Sequence, residues 1–296
     1  MKYKVIHKTS YEYSEPAALS QNELCLFPRD AQRQVCESKR LTIRPKPTVL
    51  ESRLDFFGNH VHNFMVQQPH QTLAVITESV IQTADWEGPD PASTAPWESI
   101  RERLASHENP EDLAACQFVY PSDFVSPSKA LAAYAKESFT PGRPALEAAL
   151  DLTARIFTEF KYDKDATNIG TPLQEVLKIK KGVCQDFAHL QIGCLRSLGL
   201  AARYVSGYLE TIPPPGKQKL TGADASHAWL AVHIPELGWV DLDPTNNMIP
   251  GRRHITVAWG RDYGDVTPAK GVVWGGGAHN LIVGVDVIPL ENENPG

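Results

Sequence analysis

The 296-residue chain has no apolar stretch of about 18 residues, so it offers no transmembrane helix and no membrane partner is expected. Its opening, Met1 to His7, lacks the apolar core of a signal peptide. Five cysteines are present (Cys25, Cys36, Cys116, Cys184 and Cys194), an odd number with no C-x-x-C pair. That pattern fits neither a disulfide framework nor a structural zinc site. A reducing, cytoplasmic setting is the simplest account, and it would keep a reactive thiol free. No basic run offsets the net charge of -6, which argues against a nucleic-acid surface. The acidic residues form no D-x-D-x-D-G loop with a distal Glu, so no calcium requirement is expected. Internal repeats and low-complexity runs are also missing.

What is present reads as a soluble α+β protein of one large or two medium domains, 42% hydrophobic and 22% charged. In Tyr3-Val5-His7-Thr9-Tyr11-Tyr13 larger β-formers alternate with Lys4, Lys8, Ser10 and Glu12, with Ile6 breaking the polar face. Further short strands are expected at Glu23 to Phe27, Arg40 to Arg44, Val61 to Val66 and Leu73 to Thr83. Turn signals between them suggest an N-terminal, all-β, sandwich-like domain over residues 1–90. His60, His62 and His70 fall there; without a carboxylate or cysteine at a telling distance they read as surface polar positions, not metal ligands. Gly88 to Pro96 is a linker, and residues 91–296 form the second domain. Its periodicity predicts helices over Ser128 to Ser138, Pro144 to Phe160 and Leu173 to Ile179. Strands follow at Ala202 to Glu210, Ser226 to Ile234, Gly238 to Asp243 and Leu281 to Leu290.

The chemistry concentrates around Gly182-Val183-Cys184-Gln185-Asp186-Phe187-Ala188-His189. Phe187, Leu190, Gln191, Cys194 and Leu198 recur at helical spacing from Cys184, and Gly199 follows as a stop. Cys184 is thus expected in the first turn of a helix, where the dipole and unpaired N–H groups favour the nucleophilic thiolate. A buried structural cysteine is the competing reading, and it fits Cys194, mid-helix on the apolar stripe.

A cysteine nucleophile needs a base and a group that orients the base. Ala228, Leu230, Val232 and Ile234 form an apolar face, so His227, Trp229 and His233 point the other way. Trp239-Val240-Asp241-Leu242-Asp243 alternates likewise. A three-residue loop, Pro235-Glu236-Leu237, pairs Ile234 with Gly238, sets Asp241 opposite Ala231 and leaves His227 diagonal to Asp243, within reach of a His–Asp bond. His233 sits beside the loop and is expected to be exposed; His189 lies on another side of the helix; Asp186 reads as a helix N-terminal charge. A Cys/His metal site would have only Cys184, His227 and a carboxylate to draw on, without zinc-type doublet spacing.

The Gly182 to His189 stretch resembles the nucleophile motif of the bacterial transglutaminase-like cysteine protease family. Ser226-His227-Ala228-Trp229 resembles its histidine motif, and Trp239 through Asp243-Pro244-Thr245-Asn246-Asn247 its W-x-x-x-D-P-T-N motif. Tyr3 to Tyr13 resembles the β-rich N-terminal region of bacterial members, and Gly260 to Val266 also looks like the family. The resemblance implies a papain-like, transglutaminase-like core with a helix-borne cysteine packed on an antiparallel sheet. It makes Cys184 the nucleophile, His227 the general base and acid, and Asp243 the group that fixes the imidazole. It also implies a protein or peptide substrate, no cofactor and no metal. The Cys184 N–H is the natural first oxyanion donor, whereas Tyr162 has no spacing rule behind it as a second. Trp229 reads as packing, and Arg203, Arg261 and Asp262 as members of structural ion pairs. Amide hydrolysis through a thioester is the favoured activity, with transamidation and an idle binding module as alternatives.

Overall fold

The computed structural model describes residues 1–85, 88, 90–212, 224–235 and 237–290. The elements in chain order are β1 (Lys2–Leu24), β2 (Gln34–Arg44), β3 (Val49–Leu54), β4 (His60–Val66) and β5 (His70–Thr83), then α1 (Trp97–Ser106), α2 (Pro110–Cys116), α3 (Lys129–Lys136) and α4 (Ala145–Glu159). Next come β6 (Lys161–Tyr162), α5 (Leu173–Ile179), β7 (Lys181–Gly182) and α6 (Cys184–Ser197). Six strands close the chain: β8 (Ala202–Leu209), β9 (Ala225–Ile234), β10 (Gly238–Leu242), β11 (His254–Gly260), β12 (Ala269–Gly275) and β13 (His279–Leu290). Among the described residues no helix is long and apolar enough to cross a membrane.

The period-2 pattern of the first residues becomes a 23-residue strand that organises the larger sheet. The first half of β1 pairs antiparallel with β5 and β13, and its second half with β4 and β12. The seven-stranded sheet therefore takes residues from both sides of the 90/91 division, since β12 and β13 return to it from the C-terminal end. The expected linker carries one 3-10 turn, Pro91–Ser93, capped by the Asp90 side chain, while its residue 89 lies outside the described residues. The strands β3, β11 and β12 and the helices α1 and α2 were not foreseen.

The second sheet is antiparallel in the order β10-β9-β8-β11. Alternation places Ala228, Leu230, Val232 and Ile234 in the main core with Leu190 and Cys194 of α6, while Val205, Trp229 and Ala231 form a small cluster on the opposite face. The helix α6 is buried nearly all round because α3, α4 and α5 cover what the sheet does not. Gly193 permits this, since a Cβ there would meet Leu173 and Leu131 at 2.9 and 3.0 Å.

Side-chain amides dock the two sheets. Gln34 donates to the Thr256 carbonyl (2.7 Å) and accepts from the Thr256 N–H (2.8 Å). Asn59 does the same for Trp259, at 2.9 and 3.0 Å. Both amides are buried and satisfy the outer edge of β11 as a further strand would, which closes an edge otherwise open to pairing.

Candidate active site

The first two turns of α6 are set by Gly182 and Asp186. Tyr162 of β6 pairs in parallel with Gly182 of β7, which brings the Tyr162 phenol beside the start of the helix. A Cβ on Gly182 would lie 2.6 Å from Asp186 Oδ2, so only glycine leaves room for that carboxylate. Asp186 Oδ2 accepts from the Val183 N–H (2.8 Å) and from Thr167 Oγ1 (2.6 Å), the helix-end role its position suggested. Cys184 is then the first helical residue, half-buried, with an N–H that no carbonyl of its own helix can reach. Of the other four thiols, Cys25, Cys116 and Cys194 are buried and Cys36 is half-buried. Burial pushes Cys25 up to about 12 and raises Cys36, Cys116 and Cys194 as well.

The hairpin register is the one read from the sequence: Gly238 faces Ile234, Asp241 faces Ala231, and the ladder ends at Leu242 facing Leu230. Residue 236 of the loop lies outside the described residues. Asp243 leaves the ladder and bridges Met248, with Pro244 following and Asn247 in a left-handed conformation (φ 51°). This tight return lets Asp243 Oδ1 accept from the N–H groups of Thr245 (2.9 Å) and Asn246 (3.2 Å). The other oxygen, Oδ2, accepts from His227 Nε2 (2.7 Å), His254 Nε2 (3.0 Å) and Asn246 Nδ2 (2.7 Å).

With Nε2 of His227 on Asp243, Cys184 is the other neighbour that acts on the ring. Burial opposes a charge on His227, but Asp243 and then the neighbouring Cys184 outweigh it and lift the imidazole to about 10. Burial would likewise raise Asp243, yet the two histidines hold it well below the usual carboxylate range. The imidazole therefore sits on a buried carboxylate with a thiol nearby. His254 was missed because β11 was not read as a strand; the alternation Ile255, Val257 and Trp259 against Thr256 and Ala258, after Gly251, was the available signal. His227, Asp243 and His254 also present three donor atoms within 4.8 Å of one another, a set able to hold a divalent cation.

The remaining residues sort clearly. His189 is buried between Phe124 and Tyr204, accepts from the Tyr263 N–H (3.1 Å) and is driven down to about 4 by burial. His233 is buried against Trp239, not exposed, because both faces of β9 are covered. His70 is buried between Ser20 and Gln68, while His60 lies by Lys39 and His62 against Phe27, so these three do not converge. Arg261 pairs with Asp265 (2.9 Å), and Asp262 caps the turn after it by accepting from Gly264 N–H and Phe124 N–H. Arg203 forms no ion pair among the described residues and stacks on Trp239 and Trp259 instead. Trp229 is fully buried and lies over Gly207, where a Cβ would be 2.4 Å from its ring. Tyr162 is close enough to Cys184 and Asp186 that, after burial, their charges raise its phenol.

Residues 3–82 match the bacterial transglutaminase-like N-terminal region, and residues 132–244 match the transglutaminase-like superfamily. An uncharacterized Mycobacterium tuberculosis protein is 41% identical across 99% of this chain and 94% of its own length. A Pseudomonas aeruginosa protein-glutamine gamma-glutamyltransferase is 35% identical over 109 residues, 34% of this chain and 16% of that protein. The crystal structure of a candidate cysteine protease from Cytophaga hutchinsonii superposes with a TM-score of 0.74 at 20% identity, covering 98% of this chain and 92% of that one, which shows a common fold. The chain belongs to the transglutaminase-like superfamily and carries the bacterial N-terminal region ahead of the core.

Proposed function

We propose that the protein is a cysteine-nucleophile amide hydrolase acting on a protein or peptide through a thioester, without a cofactor, in a reducing cytoplasmic setting. The observation that carries this is the His227 ring bonded to Asp243 and near enough to Cys184 to be shifted by it. His227 Nδ1 takes the Cys184 proton, and the sulfur attacks the carboxamide or peptide carbonyl. The resulting oxyanion lies at the start of α6, where the Cys184 N–H is one donor and the Tyr162 hydroxyl the second. His227 returns its proton to the departing ammonia or amine, leaving a thioester. A water then gives its proton to Nδ1 and attacks the thioester, and His227 hands that proton back to sulfur as the acid leaves. Asp243 keeps the imidazole in the tautomer whose Nδ1 can accept. His254, through the same oxygen, positions that carboxylate.

Water is the acceptor in this reading. Transamidation is the second reading, favoured by the likeness over 109 residues to a protein-glutamine gamma-glutamyltransferase. The test begins with iodoacetamide at pH 7 and mass-spectrometric mapping. Cys184 should label ahead of the other four cysteines, and His227→Ala should remove that lead. Next, a glutamine-containing peptide library is incubated with and without monodansylcadaverine. Hydrolysis lost in Cys184→Ser, with no dansyl incorporation, is the expected result. Dansyl incorporation exceeding hydrolysis would turn the assignment to transamidation. An unreactive Cys184 with no turnover of either kind would leave a binding module.

A further inference from the structure

A cavity of about 540 Å³ lies between the N-terminal sheet and the face of the β10-β9-β8-β11 sheet opposite α6. Arg33, Arg203, Trp229, Trp239, Asp241 and Trp259 line it, and Cys184 does not. Its volume is in the range that takes a small organic molecule.

The wall chemistry is unusual for a packing defect. Arg203 is 8% exposed, yet among the described residues it has neither a hydrogen bond nor an ion pair, and its buried Nε has no partner. It is held by aromatic faces, with the guanidinium carbon 4.3 Å from the Trp239 ring centre and 3.8 Å from that of Trp259. A second guanidinium, that of Arg29, stacks on Trp259 at 3.2 Å. Trp229 is completely buried, and its Nε1–H, which lies near Asp241, also has no hydrogen-bond partner. Asp241 is the one carboxylate in the lining, and Arg33 takes it at 3.2 Å. Of the two guanidiniums that line the cavity, Arg33 is matched by Asp241 and Arg203 is left uncompensated, with two buried N–H donors unused. Buried polar groups are nearly always satisfied, and a buried charge without a partner is costly, so such a constellation points to a missing anion. Burial disfavours the charge on Arg203 and lowers it to about 9.

We propose that this cavity is a binding site for a small organic monocarboxylate, its carboxylate on Arg203 and Trp229 Nε1 and its apolar body against Trp239 and Trp259. A single residual charge suits a monoanion. Asp241 repels a phosphate dianion, and the indole walls favour an organic body over an inorganic ion. The site shares the sheet face of the His227–Asp243 pair but does not depend on the chemistry assigned to Cys184.

The experiment titrates the full-length protein with benzoate, its neutral isostere benzamide and inorganic phosphate, followed by tryptophan fluorescence and calorimetry. Benzoate should bind saturably, at least about tenfold more tightly than benzamide or phosphate, because only it satisfies the guanidinium with an apolar body attached. Cys184→Ala should bind benzoate unchanged. Arg203→Met should lose it, and Arg203→Lys, which keeps the charge without the fork, should weaken it about tenfold. The wild-type comparison decides the matter even where an Arg203 variant does not fold. Equal binding of benzoate and benzamide, tighter binding of phosphate, an absence of saturation at millimolar benzoate, or loss of binding in Cys184→Ala would each overturn the proposal.

Discussion

Replacing Asp243 with Asn tests the proposed proton path with little change of shape. The two oxygens of Asp243 have different neighbours: Oδ1 faces the backbone N–H groups of Thr245 and Asn246, and Oδ2 faces His227, His254 and Asn246. Backbone donors cannot switch, so the amide oxygen of an Asn must take the Oδ1 position and its NH₂ must face the imidazoles. A donor opposite Nε2 forces the His227 proton onto Nδ1, the atom proposed to accept from Cys184. The ring then cannot accept the thiol proton. A wrong tautomer of this kind costs roughly 10⁴-fold in turnover, or about 5 kcal/mol of barrier. The assay is peptide hydrolysis together with the rate of Cys184 alkylation by iodoacetamide at pH 7, on protein shown to be folded by circular dichroism. Asp243→Asn that hydrolyses and alkylates within about tenfold of the wild type would refute the assigned tautomer and with it the role of Asp243.

Three further outcomes follow from the same geometry. Because His227 is lifted from 6.5 to about 10, the folded state holds a proton that the unfolded chain releases, so its contribution to stability is complete below pH 6.5 and is lost as pH rises toward 10. Urea denaturation of wild type and Asp243→Asn should show their difference shrinking over that range; a constant difference would contradict the shift. Tyr162→Phe should lower kcat by about 10²-fold with KM little changed, as for loss of one oxyanion donor, and an unchanged kcat would remove Tyr162 from the mechanism. Zn²⁺ should inhibit reversibly by occupying His227, Asp243 and His254, and EDTA should restore activity without stimulating metal-free enzyme. Stimulation of turnover by the added metal would replace the cofactor-free reading.

Much of the candidate site was legible because short-range rules governed it. The α6 stripe and its Gly199 stop, the Asp186 charge in the first turn and the 234/238 hairpin register all follow from helix period, dipole and strand alternation, and the structure has each of them. His227 next to Asp243 followed from that register, since a one-residue slip would have put the apolar residues of β9 and β10 on opposite faces. The α4 and α5 helices were likewise found to within a residue, because their apolar faces recur without interruption.

The rest depended on burial from elements distant in sequence. His233 was expected in solvent because it flanks a loop, but Trp239 covers it. His254 carries no local mark of function; it becomes a partner of Asp243 only because β11 pairs with β8. Arg203 was expected in an ion pair, and instead Trp239, thirty-six residues on, and Trp259 enclose it while the segment 31–34 roofs the cavity. The sequence alone determined the helix that carries Cys184 and the hairpin that carries His227 and Asp243, because neighbouring residues supply those forces. Tertiary structure alone decided that β12 and β13 close the first sheet, that the Gln34 and Asn59 amides seal β11, and that one buried guanidinium is left without an anion, because those outcomes rest on contacts between residues up to two hundred and more positions apart.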